Sequence, residues 1–269
     1  MADGNLGEMS FWDHVDALRG VLLRAGAVVL LMAIVFFAAM PEIFDRIILA
    51  PTRPDFCLYG LLASLGSVRG ITPDFNADFS ASLINIQLAS QFFIHISTSF
   101  WLALVFSFPI IIYLLWSFVA PGLYEREKRG ARTAFLFGNV MFFIGVAVGY
   151  FLVFPLTLRF LAGYQVSELV PNQISLDSYM DNFLMLILVM GIIFELPLLA
   201  WLLGKTGLLT RSFFSSYRRH AVVVLLILAA VVPPTGDPFP LTVVSLPIYI
   251  LWELSARFVP SHSHDTAAA

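Results

Sequence analysis

The sequence predicts an all-α polytopic membrane protein with six transmembrane helices, of which the last two are short, both termini in the cytoplasm and a periplasmic cap. Hydrophobic residues make up 59% of the chain and charged residues 12%, and this charged fraction is about half that of soluble domains. The apolar runs are continuous rather than alternating, which favours helices over a membrane β-barrel. Lys and Arg also concentrate at one set of segment ends, which predicts an orientation.

The first element is a predicted cytoplasmic amphipathic helix within residues 1–21. Ser10 and Asp13 form an S-x-x-D pattern that is typical of a helix start. An apolar stripe at helical spacing follows, made of Phe11, Val15, Leu18 and Leu22. This pattern predicts an interfacial helix that leads into the first span. Acidic residues precede the first apolar run, where a secretory signal would be basic, so we expect no cleaved signal peptide.

Six apolar segments follow as candidate spans. The first four approach or exceed the ~20 residues that cross a hydrocarbon core. The last two hold 12 residues each, about 18 Å of helix, so they either thin the bilayer locally or form a hairpin that enters and returns. The segments are residues 22–40, 92–119, 134–155, 183–203, 221–232 and 241–252. We predict one transmembrane domain over residues 1–259, with a cap rich in Pro and Gly near residues 41–91 and a disordered cytoplasmic tail at 260–269.

The distribution of Lys and Arg predicts that both termini are cytoplasmic. Eleven basic residues lie at one set of segment ends and four at the other, and the richer set marks the cytoplasmic side. The four at the opposite ends are Arg46, Arg53, Arg69 and Arg159.

A lone acid is predicted inside the fourth span. Glu195 is the only ionisable residue between Asp181 and Lys205, and a carboxyl at that depth is costly unless it faces a cavity or a polar partner. We interpret it as a binding or protonation site. The structural alternative is a neutral carboxyl bonded to a neighbouring backbone group, helped by Pro197, which opens a carbonyl.

The segment FVAPGLYEREKR at residues 118–129 is a densely charged hinge between two long uncharged stretches. Its Arg and Lys residues follow the positive-inside rule, but Glu125 and Glu127 add nothing to topology, which suggests that the hinge also binds something. Asp237, the only charge in the Pro233–Pro240 turn, has the usual role of a turn-forming Asp. Gly145-x-x-x-Gly149 is a weak signal for a helix-packing face.

The sequence offers no support for catalysis. The five His residues show no metal-ligand spacing, and no phosphate loop or nucleophile motif occurs. The single cysteine, Cys57, excludes an internal disulfide and a Cys-based metal cluster. We therefore expect no enzyme activity, no cofactor and no metal.

Four segments in order carry a resemblance to a known family: FWDHVDALR at 11–19, FVAPGLYEREKR at 118–129, FELP at 194–197, and PPTGDPF at 233–239, the last followed by LPIYILWE at 246–253. The chain resembles TatC, the family of signal-peptide receptors of the twin-arginine protein translocase. The resemblance implies six spans with both termini cytoplasmic, and it decides for short last spans over a re-entrant hairpin. It also implies a multi-pass protein of the bacterial inner membrane.

The resemblance assigns roles to residues near the hinge. Glu127 falls on the family's hinge glutamate, which helps bind the paired arginines of the signal peptide. Glu195 matches the buried acid of the fourth span, and Asp237 matches an acid of the last periplasmic turn. The expected signal-peptide surface comprises Glu127, Phe118, Pro121, Leu123, Tyr124, Asp13 and Arg19.

One position departs from the family pattern. The N-terminal helix of the family usually carries a second glutamate, where this chain has Ala17. Asp16 is adjacent but rotated about 100° around a helix, whereas Asp13 lies one turn earlier on the same face. Our hypothesis is that Asp13 and Glu127 together form the acidic clamp.

The implied function is a non-enzymatic receptor and translocase core that exports folded proteins. Its expected partners are twin-arginine signal peptides, small single-span subunits of the TatA and TatB type, and further copies of this chain. The family draws its energy from the proton-motive force. The alternative is a small-solute permease or channel subunit with Glu195 on the substrate path, and a membrane-embedded enzyme is a third and weaker reading.

Overall fold

The computed structural model describes residues 11–62, 81–119, 125–167, 169, 172–205, 209–231 and 238–259. The chain divides into two compact units. The first unit comprises Met1–Ala39 and Ile96–Asn139, and the second comprises Met40–His95 and Val140–Ala269.

The first unit contains most of three long helices, each of which has one end in the second unit. Helix α1 spans Phe11–Ile43, α2 spans Ser90–Val119 and α3 spans Glu125–Val148. The rings of Phe36 on α1 and Phe106 on α2 lie 5.1 Å apart. From Phe11 onward, the predicted amphipathic segment and the predicted first span form one helix, because α1 continues through Ile43 without a break.

The second unit contains shorter helices and a small sheet. After α1 come a π-helical turn at Phe44–Ile48 and a 3₁₀ turn at Ala50–Thr52, and α3 continues through a second π-helical turn at Gly149–Val153. The remaining helices are α4 (Phe154–Gly163), α5 (Leu176–Ile193), α6 (Leu196–Lys205), α7 (Arg211–Ser216), α8 (Arg218–Val231) and α9 (Pro238–Phe258). Strands β1 (Leu83–Ile84) and β2 (Ile174–Ser175) pair in parallel.

Within the described residues, five helical stretches are long and apolar enough to cross a membrane: Val15–Leu62, Ser90–Phe118, Thr133–Gly163, Leu176–Lys205 and Pro238–Arg257. The predicted fifth segment, 221–232, falls on α8, whose 14 residues correspond to about 21 Å of helix. The count of six spans therefore stays a prediction, as does the periplasmic cap, since residues 63–80 lie outside the described ranges.

Helix α9 is longer than the predicted last span, residues 241–252, and the length of that span in the bilayer stays a prediction. Helix α9 has 21 residues, about 31 Å, where the apolar segment had 12. The helix starts at Pro238, a residue type favoured in the first position. At its other end Glu253 and Arg257 interrupt the apolar run, but charged residues of this kind have good helix propensity and do not end the helix.

Three tyrosines anchor the chain where it leaves α1. The last carbonyls of a helix have no partner within it, and here side chains from elsewhere in the second unit supply the donors. The Tyr150 hydroxyl donates to the Ile47 carbonyl at 2.8 Å, and the Tyr179 hydroxyl donates to the Ile48 carbonyl. Tyr59 similarly donates to the carbonyl of Pro51 at 2.8 Å.

Glycines bring α3 and α5 into close contact. A Cβ atom added at Gly145 would lie 2.5 Å from the Met190 carbonyl oxygen and 2.7 Å from Cβ of Phe194. One added at Gly149 would lie 3.0 Å from Cα of Ile187. The predicted Gly145-x-x-x-Gly149 packing face is confirmed, with α5 as the partner.

Candidate functional site

The hinge segment, residues 118–129, includes the ends of two helices, and its residues 120–124 lie outside the described part of the chain. Helix α2 ends at Val119 and α3 begins at Glu125, so Glu125 and Glu127 belong to the first turn of a 24-residue helix. Acidic residues are favoured there because the positive end of the helix dipole attracts them. Acids at these positions are therefore typical of a helix start, whether or not they also bind a ligand.

Aromatic packing holds α2 and α3 together beside the hinge. The rings of Trp116 and Phe135 have centroids 4.9 Å apart. Glu127 lies eight residues before Phe135, about 12 Å along the helix axis. Phe118 is half-buried in the last turn of α2. The predicted residues Pro121, Leu123 and Tyr124 lie outside the part of the chain that the structure describes.

The N-terminal part of the predicted site lies on α1. Asp13, Ala17 and Arg19 are all helical, and the side chain of Arg19 is exposed. The helical backbone places Asp13 and Ala17 one turn apart on the same face, as the clamp hypothesis requires. These positions belong to the same compact unit as Phe118 and Glu127. The pairing of Asp13 with Glu127 stays a prediction.

The fourth span is broken at Glu195. Helix α5 ends at Ile193 and α6 begins at Leu196. Proline lacks an N–H and its ring clashes with the carbonyl four residues earlier; for Pro197 that residue is Ile193, the last of α5. The break keeps some backbone bonds, since the Glu195 N–H donates to the Ile192 carbonyl at 3.0 Å and the Leu199 N–H donates to the Glu195 carbonyl at 3.0 Å.

The carboxyl group of Glu195 is poorly satisfied. The residue is half-buried, and its Oε1 atom is buried and has no hydrogen-bond partner among the described residues. Burial of an unpaired polar atom is costly. The structural alternative, in which a neighbouring backbone group bonds the carboxyl, has no support at Oε1. The arrangement favours a group that meets a ligand or water at a gap in a helix.

The structure also brings together polar residues that the sequence did not connect. The Arg218 guanidinium contacts the Glu253 carboxylate at 2.7 Å, and the Tyr249 hydroxyl donates to the other oxygen of Glu253 at 3.1 Å. These contacts join α8 to α9. The sequence feature that could have indicated this contact is an acid at the end of the last apolar segment, together with an Arg at the start of the previous segment.

Other polar atoms inside the helices lack partners among the described residues. Asn139 donates to the Phe135 carbonyl at 2.9 Å, while its Oδ1 atom is buried and unpaired. The hydroxyls of Thr98 and Ser107 on α2 are also buried and have no hydrogen-bond partner among the described residues. Asp237, the predicted acid of the last turn, lies outside the described residues.

The chain is similar to known proteins over most of its length. The family model described as "Sec-independent protein translocase protein (TatC)" matches residues 13–247. The Sec-independent protein translocase protein TatC of Blattabacterium is 32% identical over 250 residues, which cover 92% of this chain and 94% of that protein. The TatC protein of Helicobacter pylori strain 26695 is 38% identical over 177 residues, which cover 66% of this chain and 69% of that protein.

Solved structures agree with the sequence relatives. A crystal structure of the twin arginine translocase receptor TatC in the detergent DDM superposes with a TM-score of 0.72 at 25% identity, covering 92% of this chain and 99% of that one. A second crystal structure of this receptor gives a TM-score of 0.68 at 26% identity, covering 91% and 97%. The chain therefore belongs to the TatC family, a family of non-enzymatic multi-pass membrane proteins that serve Sec-independent protein translocation.

Proposed function

We propose that this chain is the receptor subunit of a twin-arginine translocase and binds the paired arginines of signal peptides through Glu127. The observation that carries the proposal is the place of Glu127 in the first turn of α3, directly after the hinge, in a chain that matches the family model over residues 13–247. A carboxylate accepts two parallel hydrogen bonds from a guanidinium. Lysine offers a point charge instead of that planar fork, so the proposal explains a preference for Arg.

The second acid of the clamp is Asp13. Ala17 leaves the usual position of the family without a carboxylate, and Asp13 lies one helical turn before it. Two carboxylates suit two neighbouring guanidinium groups. The remaining surface offers apolar and aromatic contacts from Phe118, Pro121, Leu123 and Tyr124. Arg19 also belongs to it.

The apolar part of the signal peptide enters the bundle near Glu195. Support comes from the helix break between Ile193 and Leu196 and from the unpartnered Oε1 atom. The start of a mature protein or a polar residue of the signal would give that oxygen a donor. Glu195 would then report on how deeply a signal peptide has inserted.

The chain works as part of a larger assembly in the bacterial inner membrane. We propose six spans with both termini cytoplasmic, because eleven of the basic residues lie at one set of segment ends. Single-span TatA-type and TatB-type subunits and further copies of this chain complete the translocase, which exports folded proteins at the expense of the proton-motive force. Membership of the TatC family replaces the small-solute permease that was the alternative.

The test of the receptor function is binding of two fluorescent signal peptides, one with paired arginines and one with paired lysines, to the detergent-solubilised chain. Wild type should bind the arginine peptide more tightly. Glu127→Gln should weaken that binding by roughly 10- to 100-fold, because a hydrogen bond to a charged group contributes about 1.5–3 kcal/mol. Glu125→Gln is the matched control, since it removes an acid from the same helical turn. Equal binding of both peptides by wild type would refute the proposal.

The clamp is tested separately with Asp13→Asn. Its expected effect is a loss of affinity for the arginine peptide, with little change for the lysine peptide. Asp16→Asn is the control, because Asp16 is exposed and lies on another face of α1. If Asp13→Asn and Asp16→Asn bind alike, Asp13 is not the second acid.

A further inference from the structure

A recess in the second unit lies where α1 ends and where α2 and α5 begin. Its volume is about 280 Å³. It is lined by the last residues of α1 with the π-helical turn that follows them, by the first turns of α2 and by the first residue of α5. A cavity of about 150 Å³ holds one benzene molecule, so this recess has room for a group of about ten non-hydrogen atoms.

The charge pattern of the two longest lining helices indicates that this recess opens at a membrane boundary. On α1 no charged residue occurs from Ala25 to Pro41, and Glu42 and Asp45 follow directly. On α2 no Asp, Glu, Lys or Arg occurs at any position. Uncharged stretches of this length lie in the hydrocarbon, and charged side chains mark its edge. The recess therefore lies where lipid head groups meet the hydrocarbon, on the periplasmic side in the orientation proposed above.

The lining of the recess is apolar where it is buried and polar where it is exposed. Met40, Ile94 and Leu176 are buried, whereas the side chains of Asp45 and Gln91 are exposed. Among the described residues that line the recess there is neither Lys nor Arg. Asp45 therefore gives the recess a negative charge at its exposed side, which favours a cationic group over an anionic one.

A guanidinium group lies next to Asp45 but does not line the recess. Arg53 donates to the main-chain carbonyl of Asp45 at 2.8 Å, and both side chains are exposed. In the part of the chain that the structure describes, neither the Asp45 carboxylate nor the Arg53 guanidinium forms an ion pair. A carboxylate suits an ammonium group, and a guanidinium suits a phosphate. The two side chains are thus available to a ligand that carries both charges close together.

We propose that this recess binds the head group of a zwitterionic aminophospholipid, whose primary ammonium donates to the Asp45 carboxylate and whose phosphate contacts Arg53. A short ethanolamine linker joins the two charges of that head group, which matches an acid and a guanidinium that lie side by side. The buried apolar lining and the exposed side chains of Phe92 and Phe93 suit the start of the acyl chains. This proposal does not depend on the signal-peptide surface around Glu127.

The test is a lipid titration of the full chain in detergent, followed by native mass spectrometry. Three phospholipids with identical acyl chains are compared: phosphatidylethanolamine, phosphatidylcholine and phosphatidylglycerol. Phosphatidylcholine has the same net charge as phosphatidylethanolamine, but its quaternary ammonium has no N–H to donate. Phosphatidylglycerol has the phosphate and no cation. Wild type should bind phosphatidylethanolamine about 3- to 10-fold more tightly than phosphatidylcholine, between the values for an exposed ion pair and for a charged hydrogen bond, and phosphatidylglycerol most weakly.

Substitutions then separate the two charges of the head group. Asp45→Asn should weaken binding of phosphatidylethanolamine about 3- to 10-fold and remove its advantage over phosphatidylcholine. Glu42→Gln is the matched control, because Glu42 is also an exposed acid at the end of α1 but does not line the recess. Arg53→Gln should weaken binding of phosphatidylethanolamine and phosphatidylcholine alike, since both carry the phosphate.

A fourth variant tests whether the recess itself is the site. Gln91 is exposed and lines the recess, so Gln91→Trp should fill it without changing the core, and selective binding of phosphatidylethanolamine should be lost. Equal affinity of wild type for the three phospholipids would show only non-specific lipid around the helices and would overturn the proposal. So would equal effects of Asp45→Asn and Glu42→Gln, or unchanged selectivity in Gln91→Trp.

Discussion

Substitution of Gly145 by Ala should destabilise the protein and disturb the helix break at Glu195. The added methyl would lie 2.5 Å from the Met190 carbonyl oxygen and within 2.8 Å of two atoms of Phe194. The Met190 carbonyl accepts a hydrogen bond from the Phe194 N–H at 3.0 Å, the bond that closes α5 just before Glu195. The obstacle is therefore backbone that is already engaged, and it cannot swing aside as a flexible side chain would.

The magnitude follows from two opposing effects. Overpacking of a well-packed interior costs about 1–3 kcal/mol, and contact with backbone favours the upper half of that range. Replacement of a helical Gly by Ala contributes up to about 1 kcal/mol in the opposite direction. We expect Gly145→Ala to lose about 1–2 kcal/mol of unfolding free energy. Gly149→Ala should lose less, because its closest contact is 3.0 Å.

The assay is unfolding of the purified protein by SDS in dodecyl maltoside micelles, followed by tryptophan fluorescence. Gly26→Ala is the matched control, since a Cβ there would meet no atom within 4 Å and Gly26 lies inside a helix. Export of a twin-arginine reporter should also fall in Gly145→Ala cells. The reasoning is refuted if Gly145→Ala unfolds at the same SDS fraction as Gly26→Ala or at a higher one.

Three further substitutions or reactions have defined outcomes. Phe214→Ala should lose about 3–5 kcal/mol in the same assay, because Phe214 is 4% exposed and its ring centroid lies 4.7 Å from that of Trp252; a loss below 1 kcal/mol would contradict the packing. Tyr179→Phe leaves the buried Ile48 carbonyl without its donor and should cost about 1–3 kcal/mol, whereas wild-type stability would show that water replaces the hydroxyl. Cys57 is an exposed free thiol, so a maleimide should label it in the folded protein at the rate of an unfolded control, and protection would contradict its exposure.

Apolar runs predicted the existence of the long helices well but their ends less well. The predicted second span, 92–119, agrees with α2 at Ser90–Val119 to within two residues. Its ends are marked by polar residues and by Pro121, so the apolar run and the helix stop together. At α9 the two differ, because hydropathy detects the apolar part of a helix, whereas the half-buried Glu253 and the exposed Arg257 continue the helix beyond that part.

Some features of the candidate site depend on neighbouring residues in the sequence, and others depend on contacts between distant residues. The break at Glu195 was foreseeable, since Pro197 acts on the carbonyl four residues before it. The unpartnered Oε1 atom was not, because it depends on which side chains surround the break. The contact between Arg218 and Glu253 was equally hidden, since 35 residues separate them and only the packing of α8 on α9 brings them together.

Because α3 begins at Glu125, the acids Glu125 and Glu127 are weaker evidence for ligand binding than they were as part of a loop. As part of a loop they required a ligand to explain them, but in a first helical turn each is expected to contribute about 0.3–1 kcal/mol through the helix dipole. Their presence is therefore no evidence for a receptor by itself. The two roles separate in measurement, because the dipole acts on unfolding free energy and a guanidinium pair acts on peptide affinity. Glu125→Gln and Glu127→Gln should lower stability by similar small amounts, whereas only Glu127→Gln should lower affinity for paired arginines. Similar affinities for the two variants would reduce Glu127 to a helix-capping residue, even in a member of this family.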